Sequence, residues 1–146
     1  PMQLNNLWIT FNGEIYNYQE IKTELVELGH TFVSDSDTEV ILHAYQQWGD
    51  ACLKKMIGMF AFVIFDNNKN EVFLARDRTG VKPLHYYFKD GLLLFASELK
   101  AFHQHPNFQK TSILMQLLRL CNMEMFRVMR VFLRIAPSYC QVILRW

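Results

Sequence analysis

The apolar run in the middle of the chain constrains the fold more than any other feature of the sequence. Every residue from Met59 to Phe65 is apolar, a polar stretch from Asp66 to Asn70 follows, and a second strand-like run covers Glu71 to Ala75. A run without alternating polar residues is typical of a strand that is covered on both faces. The polar stretch predicts a hairpin. We therefore expect a layered α+β domain around an antiparallel hairpin.

Helices and a second hairpin are predicted on either side of this hairpin. Helical spacing of apolar residues predicts helices at residues 17–28, 36–48 and 50–56, and a short one from residue 97. Extended segments are predicted at residues 7–11, 31–33, 84–88 and 92–96, the last two joined by a turn. Asn17 with Glu20, and Ser36 with Glu39, have the spacing of capping boxes at the first two helix starts.

A polar cluster follows the first extended segment, Leu7 to Phe11. Asn12 and Gly13 form an Asn-Gly pair, which favours a turn because glycine accepts positive φ without steric cost. With Glu14, the pair places an amide, an unhindered backbone N–H and a carboxylate together. Such a cluster can recognise a polar group or stabilise a developing oxyanion. The pair alone is more typical of a turn that only reverses the chain.

Other polar groups carry weaker signals. Asp37 begins a predicted helix, where the helix dipole favours an acidic residue, so its pattern alone indicates a structural role. The loop from Arg76 to Pro83 is basic but lacks the glycine pattern of a phosphate-binding loop, and we assign it no ligand. The three cysteines and five histidines show no metal-ligand spacing, so we expect no metal site.

Several longer motifs occur in one order along the chain: FNGEIYNY at residues 11–18, SDSDTEV at 34–40, GMFAFVIFD at 58–66, ARDRTGVKPLHYY at 75–87 and FASELKAF at 95–102. Together they resemble the glutaminase half of glutamine-hydrolysing asparagine synthetases, which are class II glutamine amidotransferases. The resemblance covers roughly residues 1–110. It implies the four-layer αββα sandwich of N-terminal nucleophile (Ntn) hydrolases, here expected to be incomplete at the N-terminus.

The resemblance also implies roles for individual residues. The Asn12 side chain and the Gly13 N–H would form the oxyanion hole, Glu14 would contact the head group of glutamine, and Asp37 would pair with its α-ammonium. In this family the nucleophile is the thiol of an N-terminal cysteine, and residue 1 here is proline. We therefore expect the upstream segment, with the nucleophile and an arginine for the substrate carboxylate, to be missing. This chain alone should not turn over glutamine.

The parent enzyme implied by the resemblance hydrolyses glutamine to glutamate and ammonia for ATP-dependent amidation of aspartate to asparagine. ATP and Mg²⁺ would belong to a missing C-terminal synthetase domain, with no cofactor in this part. The parent would be a cytoplasmic enzyme and a homodimer. A net charge of +1 and the lack of a bilayer-length apolar run indicate no nucleic-acid or membrane partner. Two alternatives stay open: an amidotransferase with another acceptor, for instance in surface-polysaccharide synthesis, and a non-catalytic glutamine-binding or remnant fragment.

The composition changes abruptly after Lys110. All six glycines and all eight lysines lie at or before this residue, whereas residues 111–146 hold five arginines and one acidic residue. The segment is apolar on nearly every helical face, which does not suit an amphipathic helix. Permitted codons for residues 111–116, read two bases later, encode INPDA, and those for residues 136–146 encode AKLLPGHFTL. Both strings resemble the family's link between its two domains. We interpret residues 111–146 as a linker translated out of frame, and residues 1–110 as the partial amidotransferase domain.

This interpretation predicts the DNA sequence of the gene. Read in the offset frame after the codon for Lys110, the gene should encode these two strings without a stop codon between them. Sequencing the gene checks this, and a stop codon or the loss of either string in that frame contradicts the interpretation.

Overall fold

The computed structural model describes residues 1–108 with their side chains and, beyond them, the backbone of two strands near the end of the chain. The strands of this described part are β1 (Met2–Leu4), β2 (Leu7–Ile15), β3 (Gly58–Asp66), β4 (Glu71–Arg76), β5 (His85–Lys89), β6 (Leu92–Ala96), β7 (Arg130–Ile135) and β8 (Cys140–Arg145). Its helices are α1 (Tyr18–Glu27), α2 (Asp37–Trp48) and two 3₁₀ helices, Gly49–Lys54 and Leu99–Gln104.

The strands form two antiparallel sheets. One sheet has six strands in the order β1-β2-β3-β4-β7-β8, and β5 and β6 form the other. The pairing of β2 with β3 runs without interruption from Leu7 opposite Asp66 to Ile15 opposite Gly58. The middle of β3, from Phe60 to Ile64, is buried at every position. The prediction of a central strand covered on both faces is confirmed.

The two α-helices cover one face of the six-stranded sheet. Ile9 of β2, Leu25 of α1 and Ile41 of α2 are each at most 1% exposed and belong to one apolar cluster. Tyr45 of α2 stacks on Phe73 of β4 in the same cluster, with ring centroids 5.2 Å apart. Burial of this kind contributes roughly 1.5–3 kcal/mol for each large apolar side chain, so this layer is a major source of stability.

The second sheet covers the opposite face. Val63 of β3 and Leu74 of β4 are buried there, and Phe88 of β5 packs against the same cluster. The outer side of the β5–β6 hairpin is covered in turn, because Tyr87 is buried and its ring lies 5.0 Å from that of Phe108, beyond the second 3₁₀ helix. The order is therefore helices, sheet, sheet and a short outer layer, as the resemblance implies.

The predicted Asn-Gly turn is wrong. β2 continues through Asn12 and Gly13 to Ile15, paired with β3 throughout. Gly13 is required for a different reason: its φ is 150°, and a Cβ there would overlap the Met59 carbonyl oxygen and lie 2.7 Å from the Phe60 Cα. The glycine thus allows two strands to approach closely.

Other boundaries differ in detail from those predicted. No strand forms at residues 31–33, and the helices expected at residues 50–56 and from residue 97 are 3₁₀ helices at Gly49–Lys54 and Leu99–Gln104. β1 was not predicted; three residues are too few to show alternation. Within residues 1–108 and the backbone of β7 and β8, no helix combines the length and apolarity that crossing a membrane requires.

The proposed domain boundary after Lys110 and most of the tail lie outside the described residues. Of the tail, only the backbones of β7 and β8 are described; β7 pairs antiparallel with β4, and β8 pairs with β7. Strand pairing does not report the reading frame of a gene. The out-of-frame linker stays a prediction.

The close approach at Gly13 predicts a large loss of stability in Gly13→Ala. The substitution adds a clash of roughly 1–3 kcal/mol to the roughly 1–2 kcal/mol of backbone strain that an alanine meets at positive φ. Gly91→Ala is the matched control, since Gly91 also has positive φ, 79°, but nothing lies within 4 Å of an added Cβ. Urea unfolding should show a clearly larger loss for Gly13→Ala; equal losses would contradict the close strand contact.

Candidate functional site

The orientation of the Gly13 backbone follows from its partner on β3. Gly13 lies opposite Phe60. The Phe60 carbonyl accepts from the Asp77 N–H at 2.7 Å, and the Phe60 N–H donates to the Asp77 carboxylate at 3.2 Å. Both polar groups of Phe60 therefore point away from β2. In an antiparallel pair the facing residue does the same, so the N–H and C=O of Gly13 point away from β3. β1 pairs only with residues 7–9, which leaves Gly13 at an edge of the described sheet.

Asp37 reaches this edge from the first turn of α2. Its Oδ2 accepts a hydrogen bond from the Ile15 N–H at 3.2 Å. Ile15 is two residues beyond Gly13, so its N–H points to the same side of β2. With a rise of about 3.3 Å per residue, the two backbone N–H groups lie on the order of 7 Å apart along the strand. The structure thus brings Gly13 and Asp37 to one edge of the sheet.

Asn12 and Glu14 point to the faces of the sheet rather than to its edge. Side chains alternate along β2, and these two share the face on which the second sheet packs. Asn12 lines a cleft of about 160 Å³ between the two sheets, with walls that include Ala61, Pro83 and Phe95. Glu14 is exposed. The amide of Asn12 and the N–H of Gly13 are therefore adjacent along the chain but approach a ligand from different directions.

Asn17 has a role that its sequence pattern did not indicate. It precedes α1, but its side chain makes no capping hydrogen bond. Instead its amide donates to the Lys55 carbonyl and accepts from the Ile57 N–H, both at 2.9 Å. The Tyr16 N–H also donates to the Ile57 carbonyl at 2.8 Å. The end of β2 is thereby tied to the segment that leads into β3, and the predicted capping box is wrong.

The basic loop after β4 is held by its own side chains. The Arg76 guanidinium donates to the carbonyls of Gly80 and Lys82, each at 2.6 Å. Asp77 is 4% exposed and accepts from the N–H groups of Val81 and Lys82 at 2.9 and 3.0 Å, besides Phe60. Burial tends to raise the pKa of Asp77, but these hydrogen bonds outweigh it and hold the pKa below its ordinary value. The charged side chains of the loop therefore hold the loop itself in place, which is a structural role.

The thiol and imidazole groups of the described part do not form a reactive cluster. Cys52 lies in the first 3₁₀ helix and is 0% exposed, which excludes it as an accessible nucleophile. The side chains of Cys121 and Cys140 lie outside the description. In the part of the chain with described side chains, no three histidine, cysteine, aspartate or glutamate residues are grouped to hold a metal ion.

The fold matches that of a known amidotransferase. Over 98% of this chain and 30% of the other, the structure resembles glutamine phosphoribosylpyrophosphate amidotransferase from B. subtilis, solved with ADP and GMP, with a TM-score of 0.63 and 22% sequence identity. At this identity the likeness concerns the fold alone. It confirms the predicted class, an α+β fold of the Ntn-hydrolase type.

Sequence comparison gives the family. The profile of the glutamine amidotransferase domain matches residues 1–136, and the chain belongs to that family. It is 45% identical over 101 residues to asparagine synthetase (glutamine-hydrolyzing) 3 of Bacillus subtilis, and 48% identical over 99 residues to asparagine synthetase (glutamine-hydrolyzing) 2 of the same organism. These matches cover 69% and 68% of this chain, but only 16% and 13% of the relatives. The chain spans less than a fifth of their length.

The Asp77 carboxylate accepts four hydrogen bonds, three from backbone N–H groups and one from the Thr79 hydroxyl at 3.0 Å, which predicts a strong dependence of stability on it. Asp77→Ala leaves three backbone N–H groups without their acceptor, each costing roughly 1–3 kcal/mol, so the free energy of unfolding should fall by about 3 kcal/mol or more. Because the folded-state pKa is depressed, the carboxylate stabilises the fold at neutral pH, and this contribution is lost as the pH falls through the folded-state value.

Urea unfolding at pH 7 and at pH 3 measures both effects. Asp35→Ala is the control, because the Asp35 side chain is 95% exposed in an ion pair with Lys22 and its removal should change stability little. Similar losses in the two variants at pH 7 would contradict the structural role of Asp77.

Proposed function

We propose that this domain is the glutamine-hydrolysing part of an asparagine synthetase, which converts glutamine to glutamate and ammonia. The observation that carries the proposal is the hydrogen bond from Ile15 to Asp37, because it brings a carboxylate from α2 beside the backbone donor of Gly13. The Asp37 carboxylate and the Gly13 N–H together suit a small molecule that has a positive group at one end and an amide oxygen at the other. The family and the similarity to the two Bacillus subtilis synthetases support the choice of glutamine.

In this proposal the substrate lies along the edge of β2. Its α-ammonium pairs with Asp37, and its side-chain amide oxygen accepts from the Gly13 N–H and the Asn12 amide. An extended glutamine places these two ends roughly 6 Å apart, which is similar to the spacing of the backbone groups of Gly13 and Ile15. Glu14, exposed beside them, contacts the head group.

The reaction needs a nucleophile from outside these residues. By family resemblance it is the thiol of an N-terminal cysteine on an upstream segment, with its own α-amine as base. The sulfur attacks the amide carbon, and the oxyanion that forms is stabilised by Asn12 and Gly13. The leaving nitrogen takes a proton and departs as ammonia. Water then hydrolyses the thioester, which releases glutamate and the thiol.

The length of the relatives supports a larger parent enzyme with further domains. They are more than five times as long as the matched region, which leaves room for a synthetase domain. That domain would bind ATP and Mg²⁺ and transfer the ammonia to aspartate, in a cytoplasmic homodimer. We propose no cofactor for the present domain, and its partners are glutamine and the synthetase domain.

A fusion protein tests the proposed activity. The segment of asparagine synthetase 3 of Bacillus subtilis that precedes the matched region, given cysteine as its first residue, is joined to Pro1 of the full chain, and ammonia release from L-glutamine is measured. The fusion should release ammonia, whereas the polypeptide beginning with Pro1 should not. A folded but inactive fusion would contradict the proposal, and glutamine binding without turnover would favour a non-catalytic binding module.

Two substitutions in this fusion should separate the roles of the site residues. Asn12→Ala removes a donor to the oxyanion, so kcat should fall by about 10²–10³ with little change in KM. Asp37→Ala removes the partner of a ground-state charge, so KM should rise instead.

Steady-state kinetics with L-glutamine measures both effects. Glu27→Ala, which changes an exposed carboxylate at the end of α1, is the control and should leave both constants unchanged. The opposite pattern would mean that the two roles are misassigned.

A further inference from the structure

Glu39 is a buried carboxylate to which the proposed reaction assigns no role. It is 6% exposed and lies in the first turn of α2, two residues after Asp37. The sequence predicts a capping box in which it bonds to the Ser36 N–H. The structure shows a different set of partners: the N–H groups of Val33 and Ser34 donate to it at 2.8 and 2.7 Å, and the Ser34 hydroxyl at 2.5 Å.

These bonds organise the loop that leads to Asp37. The Ser34 hydroxyl, which donates to Glu39, also accepts from the Ser36 N–H at 3.3 Å. Ser36 in turn caps α2, because its hydroxyl accepts from the Thr38 N–H at 3.2 Å. Hydrogen bonds therefore connect Glu39 through Ser34 and Ser36 to the helix start that presents Asp37.

A buried histidine, His43, lies beside the Glu39 carboxylate. The Nε2 of His43 lies 3.8 Å from Glu39 Oε1 and has no hydrogen-bond partner. The Nδ1 of His43 lies 2.9 Å from the Nδ1 of His30, whose Nε2 is 2.9 Å from the Gln47 side chain. The Gln47 atom facing His30 is Oε1, which can only accept, so His30 carries a hydrogen on Nε2. At 3.8 Å, the approach of His43 to Glu39 is a packing contact and not a hydrogen bond.

The charge of Glu39 is retained despite burial. Burial raises the pKa of Glu39, but the hydrogen bonds from Ser34 and Val33 and the nearby His43 outweigh it, and the pKa lies below its ordinary value. A buried carboxylate with three donors is costly to replace, since each donor would be left without its partner. The loop from Val33 to Ser36 therefore depends on Glu39 for its conformation.

We propose that Glu39 is a positioning residue for substrate recognition: it fixes the loop from Val33 to Ser36 and thereby sets Asp37 against the Ile15 N–H at the edge of β2. The inference rests on the proposed function, in which Asp37 pairs with the α-ammonium of glutamine. Glu39 itself does not touch the substrate. It acts on Asp37 indirectly, by fixing the direction in which the chain enters α2.

The first test measures amide hydrogen exchange by NMR in the chain itself. Glu39→Gln keeps the size of the side chain but removes the charge, and should speed exchange of the Ile15 amide about tenfold relative to the Ile64 amide in the core. Ser34→Ala should act in the same direction without a buried substitution, which keeps the test decisive if Glu39→Gln does not fold. Glu27→Gln, an exposed glutamate at the end of α1, is the matched control.

The second test measures kinetics in the fusion with the upstream cysteine. Glu39→Gln should raise KM for L-glutamine about tenfold and leave kcat within about threefold, because the chemistry at Asn12 and Gly13 is untouched. A purely stabilising role would leave KM and the relative exchange of Ile15 unchanged, and that result would overturn the inference. If Asp37→Ala does not raise KM, the proposed function fails, and the exchange of the Ile15 amide still decides whether Glu39 positions Asp37.

Discussion

The arrangement of the proposed site depends on one residue pair in the sheet, Gly13 of β2 opposite Phe60 of β3. Both polar groups of Phe60 are taken by Asp77, so those of Gly13 point to the opposite side, toward the edge of the sheet. Because glycine has no side chain, β2 and β3 can approach each other closely at this residue pair. A backbone donor is thereby presented at an edge by strand pairing, without a special loop.

Hydrogen bonds between segments that are distant in sequence position the remaining residues of the proposed site relative to this residue pair. Asp37 binds the Ile15 N–H across 22 residues of sequence, and Asn17 binds the Ile57 N–H across 40. The loop after Asp77 leads directly into Pro83, which forms a wall of the cleft beside Asn12. The fold and the proposed site are therefore coupled, because a loosened contact at one of these points would change the direction of a side chain at that site.

Periodic features of the sequence predicted most of the fold, and local pair signals failed where distant partners compete. The apolar run gave β3, and helical spacing gave α1 and α2 to within one residue at each end. Asn12-Gly13 was misread as a turn because the dipeptide cannot reveal a neighbouring strand. Asn17 and Glu39 were misread as capping residues because their partners, at Lys55–Ile57 and Val33–Ser34, become apparent only in the folded chain. The site residues themselves came from motif resemblance.

The most direct test of the account is an NMR titration with L-glutamine. The ¹⁵N-labelled chain would carry the same upstream segment as the fusion protein, with alanine in place of its first cysteine, so that glutamine binds without being consumed. Binding at the proposed site should give saturable shifts that centre on the amides of Gly13, Glu14 and Ile15 at the end of β2, together with Asp37. Saturable shifts centred elsewhere, or none at saturating glutamine in the folded protein, would contradict it.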